Sequence, residues 1–196
     1  MKFYDISRDT LTAKVYKGDP DTQYSFIKST DNGDMYNLSQ FSMCTHAGTH
    51  IDAPFHFDED GKKIGEMRLS QFYGKCTVVT IKGILTGEDI ERLLPHCHKR
   101  IIFHSDGEAY LSFSAAEVLC DSDVVLVGTD AISIAPDFDE AKTHQTLARA
   151  NIAVLENLIL SGVKDGIYTL CAFPLKLPVL EAAPCRAVLL EEGKGF

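Results

Sequence analysis

The sequence predicts a mixed α/β fold (α+β in its sheet arrangement), and three observations carry that expectation. Short apolar runs such as Cys76 to Ile81, Arg100 to His104 and Asp123 to Gly128 have the length and content of buried strands. Stretches with helix-capping patterns stand between them, so strand and helix alternate and mixed sheets are expected. With 196 residues, 45% hydrophobic and 24% charged, the chain matches a single domain, residues 1–196, that buries a proper core.

The elements follow in order. Phe3 to Ser7 is an opening strand, and Lys17-Gly18-Asp19-Pro20 is a turn. Asp31-Asn32-Gly33-Asp34 is a turn signal between Tyr24 to Thr30 and Met35 to Cys44, which alternate as the strands of a hairpin. The charged segment Asp58 to Lys63 is expected as a solvated loop over the site described below. Thr86-x-x-Asp89 opens a short helix to Leu94, and Ser114-x-x-Glu117 caps a second. Asp123 to Gly128 ends at Thr129-Asp130, where Asp130 either orients a ligand imidazole or forms a turn. Gly166 to Phe173 and Arg186 to Leu190 complete the strands, with an irregular stretch between them, marked by Pro174, Pro178 and Pro184, expected to close over the site.

Charge and cysteine usage narrow the function. A net charge of −9 and a pI near 5.2 argue against nucleic acid or an anionic membrane as partner. MKFYDISRDT has no apolar leader core and no run approaches membrane-spanning length, so a cytoplasmic protein is expected. The six cysteines are scattered singly without CxxC spacing, so free thiols are expected; Cys44 alone stands close enough to the histidines to be weighed as a soft ligand. His96-Cys97-His98 follows Pro95 and is expected as a solvated turn, because adjacent loop residues face different ways.

The chemistry concentrates in His46-Ala47-Gly48-Thr49-His50-Ile51-Asp52-Ala53-Pro54-Phe55-His56. If the chain from His50 onward is extended, His50, Asp52 and His56 share one face and Ile51, Ala53 and Phe55 the apolar other. Gly48 lets the backbone bend so that His46 swings toward the same point. One histidine in a strand is ordinarily a hydrogen-bonded core or surface residue. Three with an aspartate, crowded onto one face, need a cation to unite them. Imidazole with carboxylate suits zinc, manganese or iron(II), whereas calcium or magnesium asks mainly for oxygen. Later in the chain, His144 and Glu156 are twelve residues apart, which on one unbroken helix sets them about 120 degrees apart. A short helix from Thr143 to Ala150, a left-handed cap at Asn151 and a strand over Ile152 to Leu155 would fold Glu156 back toward His144.

The pattern His-x-Gly-Thr-His-x-Asp-x-Pro-x-His resembles that of the cyclase-type metal-dependent hydrolases, a family that includes kynurenine formamidases and isatin hydrolases. Every fixed position is met, and the resemblance extends to Tyr16 through Pro20, Gly128-Thr129-Asp130 with Ser133, His144 to Leu158, and Pro174 to Leu177. It implies a swivelling β/β/α fold with a mixed or barrel-like sheet and peripheral helices, and a homodimer or higher homo-oligomer. It also implies a dinuclear centre: His46, His50 and Asp52 on one metal, with Asp52 bridging to a second held by His144 and Glu156. Zinc and manganese are the expected ions, one or two per subunit. The resemblance places Tyr16 in the substrate pocket, where the formamidases carry tryptophan. His56, in register but six residues past His50, is better placed as proton shuttle than as ligand, which matches the catalytic histidine of the formamidases.

The expected reaction is hydrolysis of a small amide, an aryl formamide such as N-formylkynurenine or a cyclic amide, by metal-activated water. Two rivals stand beside it: a lyase or dehydratase on the same metal site, and a metal-binding protein without turnover.

Overall fold

The computed structural model describes residues 1–191. Its elements in chain order are β1 (Lys2–Asp5), β2 (Gln23–Lys28), β3 (Leu38–Ser42), β4 (His50–Asp52), β5 (Tyr73–Thr80), β6 (Ile84–Leu85), α1 (Gly87–Leu93), β7 (Arg100–His104), β8 (Tyr110–Leu111), α2 (Phe113–Cys120), β9 (Leu126–Thr129), α3 (Glu140–Arg149), β10 (Ala153–Glu156), β11 (Gly166–Cys171), β12 (Ala182–Pro184) and β13 (Val188–Glu191).

Among the described residues one nine-stranded sheet dominates, in the order β1-β13-β11-β5-β7-β9-β10-β4-β12. Its centre, β5-β7-β9-β10, is parallel, as strand-helix alternation requires, and both flanks are antiparallel. The sheet curls into a half-barrel. Period-two alternation splits its side chains between two cores. Ile101, Phe103, Val127 and Val154 meet Ile90 of α1, Leu119 of α2 and Leu147 of α3 on one face. Ile102, Leu126 and Leu155 meet Ile6, Ile51, Leu170 and Leu189 within the curl of the other.

Several local expectations are borne out. Thr86 and Asp89 form a reciprocal capping box at α1. β2 and β3 pair antiparallel across a turn in which Gly33 adopts φ 88°. The cysteines are free. His96 lies in a single 3-10 turn, Leu94–His96, and His98 Nδ1 lies 3.2 Å from Thr77 Oγ1, so the triplet stays apart from the histidine stretch. No helix among the described residues is long and apolar enough to cross a membrane.

Others are corrected. The cap of α2 is Ser112, whose hydroxyl accepts from the Ala115 N–H; Ser114 lies inside the helix and accepts from Gly87 N–H instead. α3 starts at Glu140, one turn before Thr143. The chain pairs as a strand over His50–Asp52, stays extended at Ala53, then tightens into a 3-10 turn, Pro54–His56, because Pro54 fixes φ and lacks the N–H that a ladder needs. Asp58 to Lys63 packs against that turn rather than over the site: Phe55 N–H donates to Lys62 O and Asp58 N–H to Pro54 O.

Candidate active site

Register builds the site. β4 lies between β10 and β12, with Glu156 opposite His50 and Val154 opposite Asp52 on one side, and Ala182 opposite Asp52 on the other. His50, Asp52 and Glu156 therefore project from one face, while Ile51 and Leu155 are buried in the core behind it. His46 precedes the strand, and the chain turns between them at Gly48, with φ +67°. A Cβ there would sit 3.1 Å from the Thr10 Cα and in a conformation that L side chains rarely adopt, so glycine is required.

His144 comes down from α3, and Asn151, with φ 57°, turns the chain from that helix into β10. His144 Nε2 lies 3.3 Å from Glu156 Oε1 and 4.0 Å from Asp52 Oδ2. His46 Nδ1 lies 2.9 Å and His50 Nε2 3.3 Å from Asp52 Oδ1, and His50 Nε2 is 3.5 Å from Glu156 Oε2. Two groups result, His46/His50/Asp52 and Asp52/His144/Glu156; in each, one donor atom per residue lies within 4.8 Å of the others, and Asp52 belongs to both.

Of these contacts, that between His144 Nε2 and Glu156 Oε1 is a hydrogen bond. His50 Nε2 and both Asp52 carboxylate oxygens are buried without a hydrogen-bond partner. Two buried carboxylates at this separation repel by on the order of 3 kcal/mol even at an effective dielectric of 20. Such a donor set fits divalent cations, which supply the missing charge and accept the lone pairs together. The electrostatics agree. Burial disfavours the charged His50 ring, but Asp52 and Glu156 more than offset this and raise its pKa well above the ordinary value. For His144, burial is likewise outweighed by Glu156, and the pKa rises to about 9. Burial would push Asp52 up, yet His46 and His50 hold it well below the usual carboxylate range. The cluster draws positive charge to itself.

His56 reaches the site from the 3-10 turn, not from the extended alternation expected of it. Its ring centroid lies 4.2 Å from that of His46 and 6.3 Å from that of His144. Burial pulls its pKa below the ordinary imidazole value, which favours the neutral ring.

The cleft over these groups has a cavity volume of about 210 Å³ and includes Tyr16, Asp19, Phe57, Ile132, Ser133 and Glu140 in its wall. Tyr16 donates its hydroxyl hydrogen to Glu140 Oε2 at 2.8 Å, which pushes the phenol up to about 12. The seven expected site residues, Tyr16, His46, His50, Asp52, His56, His144 and Glu156, thus line one cleft. Cys44 does not join them: its thiol contacts Asp19 at 3.4 Å. Asp130 orients no ligand imidazole; it accepts from the Ser105 N–H and lies 3.7 Å from His104. Only the end of the Pro174 to Pro184 stretch, Ala182–Pro184, pairs with β4 as β12, and Glu181 just before it, which sequence reasoning missed, is tied to Ala53 N–H through its carbonyl oxygen. Glu140 was missed too, although its position four residues before His144 on one helix face was a signal.

The family described as "Cyclase: Putative cyclase" matches residues 4–136. The chain is 34% identical over 202 residues to the kynurenine formamidase of Delftia acidovorans (strain DSM 14801 / SPH-1), covering 96% of this chain and 97% of that protein. A solved structure described as a "Potential Metal-Dependent Hydrolase With Cyclase Activity" superposes with a TM-score of 0.81 at 29% identity, over 98% of this chain and 99% of that one. Isatin hydrolase A from Labrenzia aggregata, bound to benzyl benzoate, shares the fold, with a TM-score of 0.83 at 18% identity over 97% and 94% of the two chains.

Proposed function

The chain belongs to the cyclase family, and from that premise we propose that this amidohydrolase is a metal-dependent hydrolase of small amides, with an aryl formamide such as N-formylkynurenine as the first substrate to test and a cyclic amide as the second. The observation that carries the reading is Asp52, buried and shared between two groups of imidazole and carboxylate donors, both its oxygens without a hydrogen-bond partner. His46, His50 and Asp52 would hold one zinc or manganese ion, and Asp52, His144 and Glu156 a second. Bound there, such ions supply Lewis acidity, acidifying a water and polarising an amide carbonyl.

The protein's own groups do the rest. His56, neutral and beside both donor groups, takes a proton from the attacking water and returns it to the departing nitrogen. Phe57 and Ile132 give the cleft apolar walls, and Phe57 stacks on His144 at 4.5 Å between centroids. Tyr16, protonated and tied to Glu140, presents its ring at the cleft as a flat wall for an aryl substrate.

A second copy of the chain is the proposed partner. Tyr24, Phe26 and Phe41 on β2 and β3 are 57%, 67% and 62% exposed, and a two-stranded hairpin is marginal without packing. Phe26→Glu with Phe41→Glu is expected to convert a dimer to monomer in sedimentation.

The deciding experiment is formate release from N-formylkynurenine by metal-free protein reconstituted with zinc or manganese. Turnover is expected, is expected to vanish on chelation, and is expected to fall at least 100-fold in His56→Ala with the bound metal unchanged. Stoichiometric metal without turnover on aryl formamides or on cyclic amides would overturn the reading, and solvent deuterium entering substrate carbon would replace it with a lyase.

A further inference from the structure

Each ligand imidazole has two nitrogens, and the one turned away from the donor groups fixes the tautomer and angle of the ring. For His50 the outer nitrogen, Nδ1, lies 3.0 Å from the Gly48 carbonyl oxygen. For His144 the outer Nδ1 lies 3.0 Å from the Glu140 carbonyl oxygen. His46 is reversed, with Nδ1 toward Asp52 and Nε2 outward, and among the described residues no backbone carbonyl takes this role. Its Nε2 faces Glu181 Oε1 at 3.5 Å, at the outer limit of a hydrogen bond.

Glu181 is held in that position at three points. Thr45, the residue before His46, donates its hydroxyl hydrogen to Glu181 Oε1 at 2.6 Å. The Glu181 carbonyl oxygen accepts from the Ala53 N–H at 2.8 Å, immediately after Asp52. The next residue, Ala182, is in register with Asp52. One residue is therefore tied by backbone to the chain after the shared carboxylate and by side chain to the chain before the first imidazole. Its carboxylate lies outside both donor groups and outside the cleft wall, behind His46.

We infer that Glu181 is a positioning residue: its carboxylate, aimed by Thr45, accepts the Nε2 proton of His46 and so keeps the Nδ1 lone pair turned to the ion shared with Asp52. The inference rests on the metal-centre reading above and adds to it a residue from the proline-marked segment. An anionic acceptor makes His46 a stronger donor than a carbonyl would, so the ligand that lies before the strand and is least constrained by it receives the charged support.

The test is zinc affinity, measured by competition with a chromophoric chelator, together with long-range proton–nitrogen NMR of the His46 ring in the zinc-loaded protein. In the parent, His46 is expected to carry its proton on Nε2. Glu181→Ala is expected to weaken zinc binding 10- to 100-fold and to broaden or shift the His46 nitrogen signals, with those of His50 and His144 unmoved. Glu181→Gln, whose amide oxygen still accepts, is expected to restore most of the affinity. Thr45→Val, which leaves Glu181 in place but releases its aim, is expected to weaken zinc binding in the same direction by less, and it serves if Glu181→Ala does not fold. Parent-like zinc affinity in folded Glu181→Ala and Thr45→Val, or a His46 proton on Nδ1 in the parent, overturns the inference while leaving the metal centre intact. A parent protein that binds no zinc overturns the metal-centre reading itself.

Discussion

His144 Nε2 stands 3.3 Å from Glu156 Oε1 although the two residues come from different elements, the helix α3 and the strand β10. The turn between them is made at Asn151, where the N–H donates to Ala148 O at 2.8 Å and the next N–H, of Ile152, to Leu147 O at 3.1 Å. This left-handed residue ends the helix and sends the chain back along the sheet.

Asn151→Ala is accordingly expected to lose about 1 kcal/mol of stability, since a Cβ without the local polar compensation of asparagine disfavours positive φ. Asn151→Gly is expected to be neutral to within a few tenths of a kcal/mol by comparison. Urea midpoints of the three proteins check both, and zinc stoichiometry should follow the same order.

Gly61 controls the placement of His56. A Cβ on Gly61 would lie 2.6 Å from the Pro54 carbonyl carbon and 2.8 Å from the Phe55 nitrogen, backbone atoms of the turn that carries the imidazole. Gly61→Ala is expected to cost about 1–3 kcal/mol by overpacking and to lower kcat, because the turn must shift. Thermal melting and kinetics with metal content held constant separate the two effects.

Tyr16→Phe removes the hydroxyl bound to Glu140 and leaves that carboxylate without this partner at the cleft wall. The expected result is a several-fold rise in KM for an aryl formamide with kcat within about twofold, since the ring wall remains and the donor groups are untouched. Steady-state kinetics on both proteins decide it.

Asp5 and Arg186 pair across the start of the chain and the residues before β13, through bonds from Arg186 Nε at 3.0 Å and from its Nη2. Arg186 holds the Asp5 carboxyl below its ordinary value of 3.8. A depressed carboxylate contributes stability that is present above that ordinary value and lost as the pH falls through the lowered one. Arg186→Ala should therefore melt slightly below the parent at pH 7, and the difference should close under strongly acidic conditions; the pair is exposed, so the effect is small.

Much of the site was legible in the sequence because its ligands lie in short local patterns. His50 and Asp52 sit two apart on one strand, so alternation alone places them on a common face. The predicted left-handed cap at Asn151 likewise follows from a local preference of asparagine. The α2 cap was misplaced by two residues because Ser112 and Ser114 both offer hydroxyls 3.0 Å apart, and a capping pattern counts residues without seeing which hydroxyl faces the open N–H groups.

The sequence by itself determined the alternating strand-helix architecture, the donor chemistry of His46, His50, Asp52, His144 and Glu156, and the return of the chain at Asn151. These are consequences of side-chain period, ligand type and backbone preference, all of which act over a few residues. Only the tertiary structure decided that Glu156 faces His50, that Pro54 brings His56 over by a 3-10 turn, and that Glu181 stands behind His46. Those relationships depend on strand register and on contacts between segments up to 136 residues apart, as between Thr45 and Glu181, where packing of the whole sheet, not local sequence, sets which atoms meet.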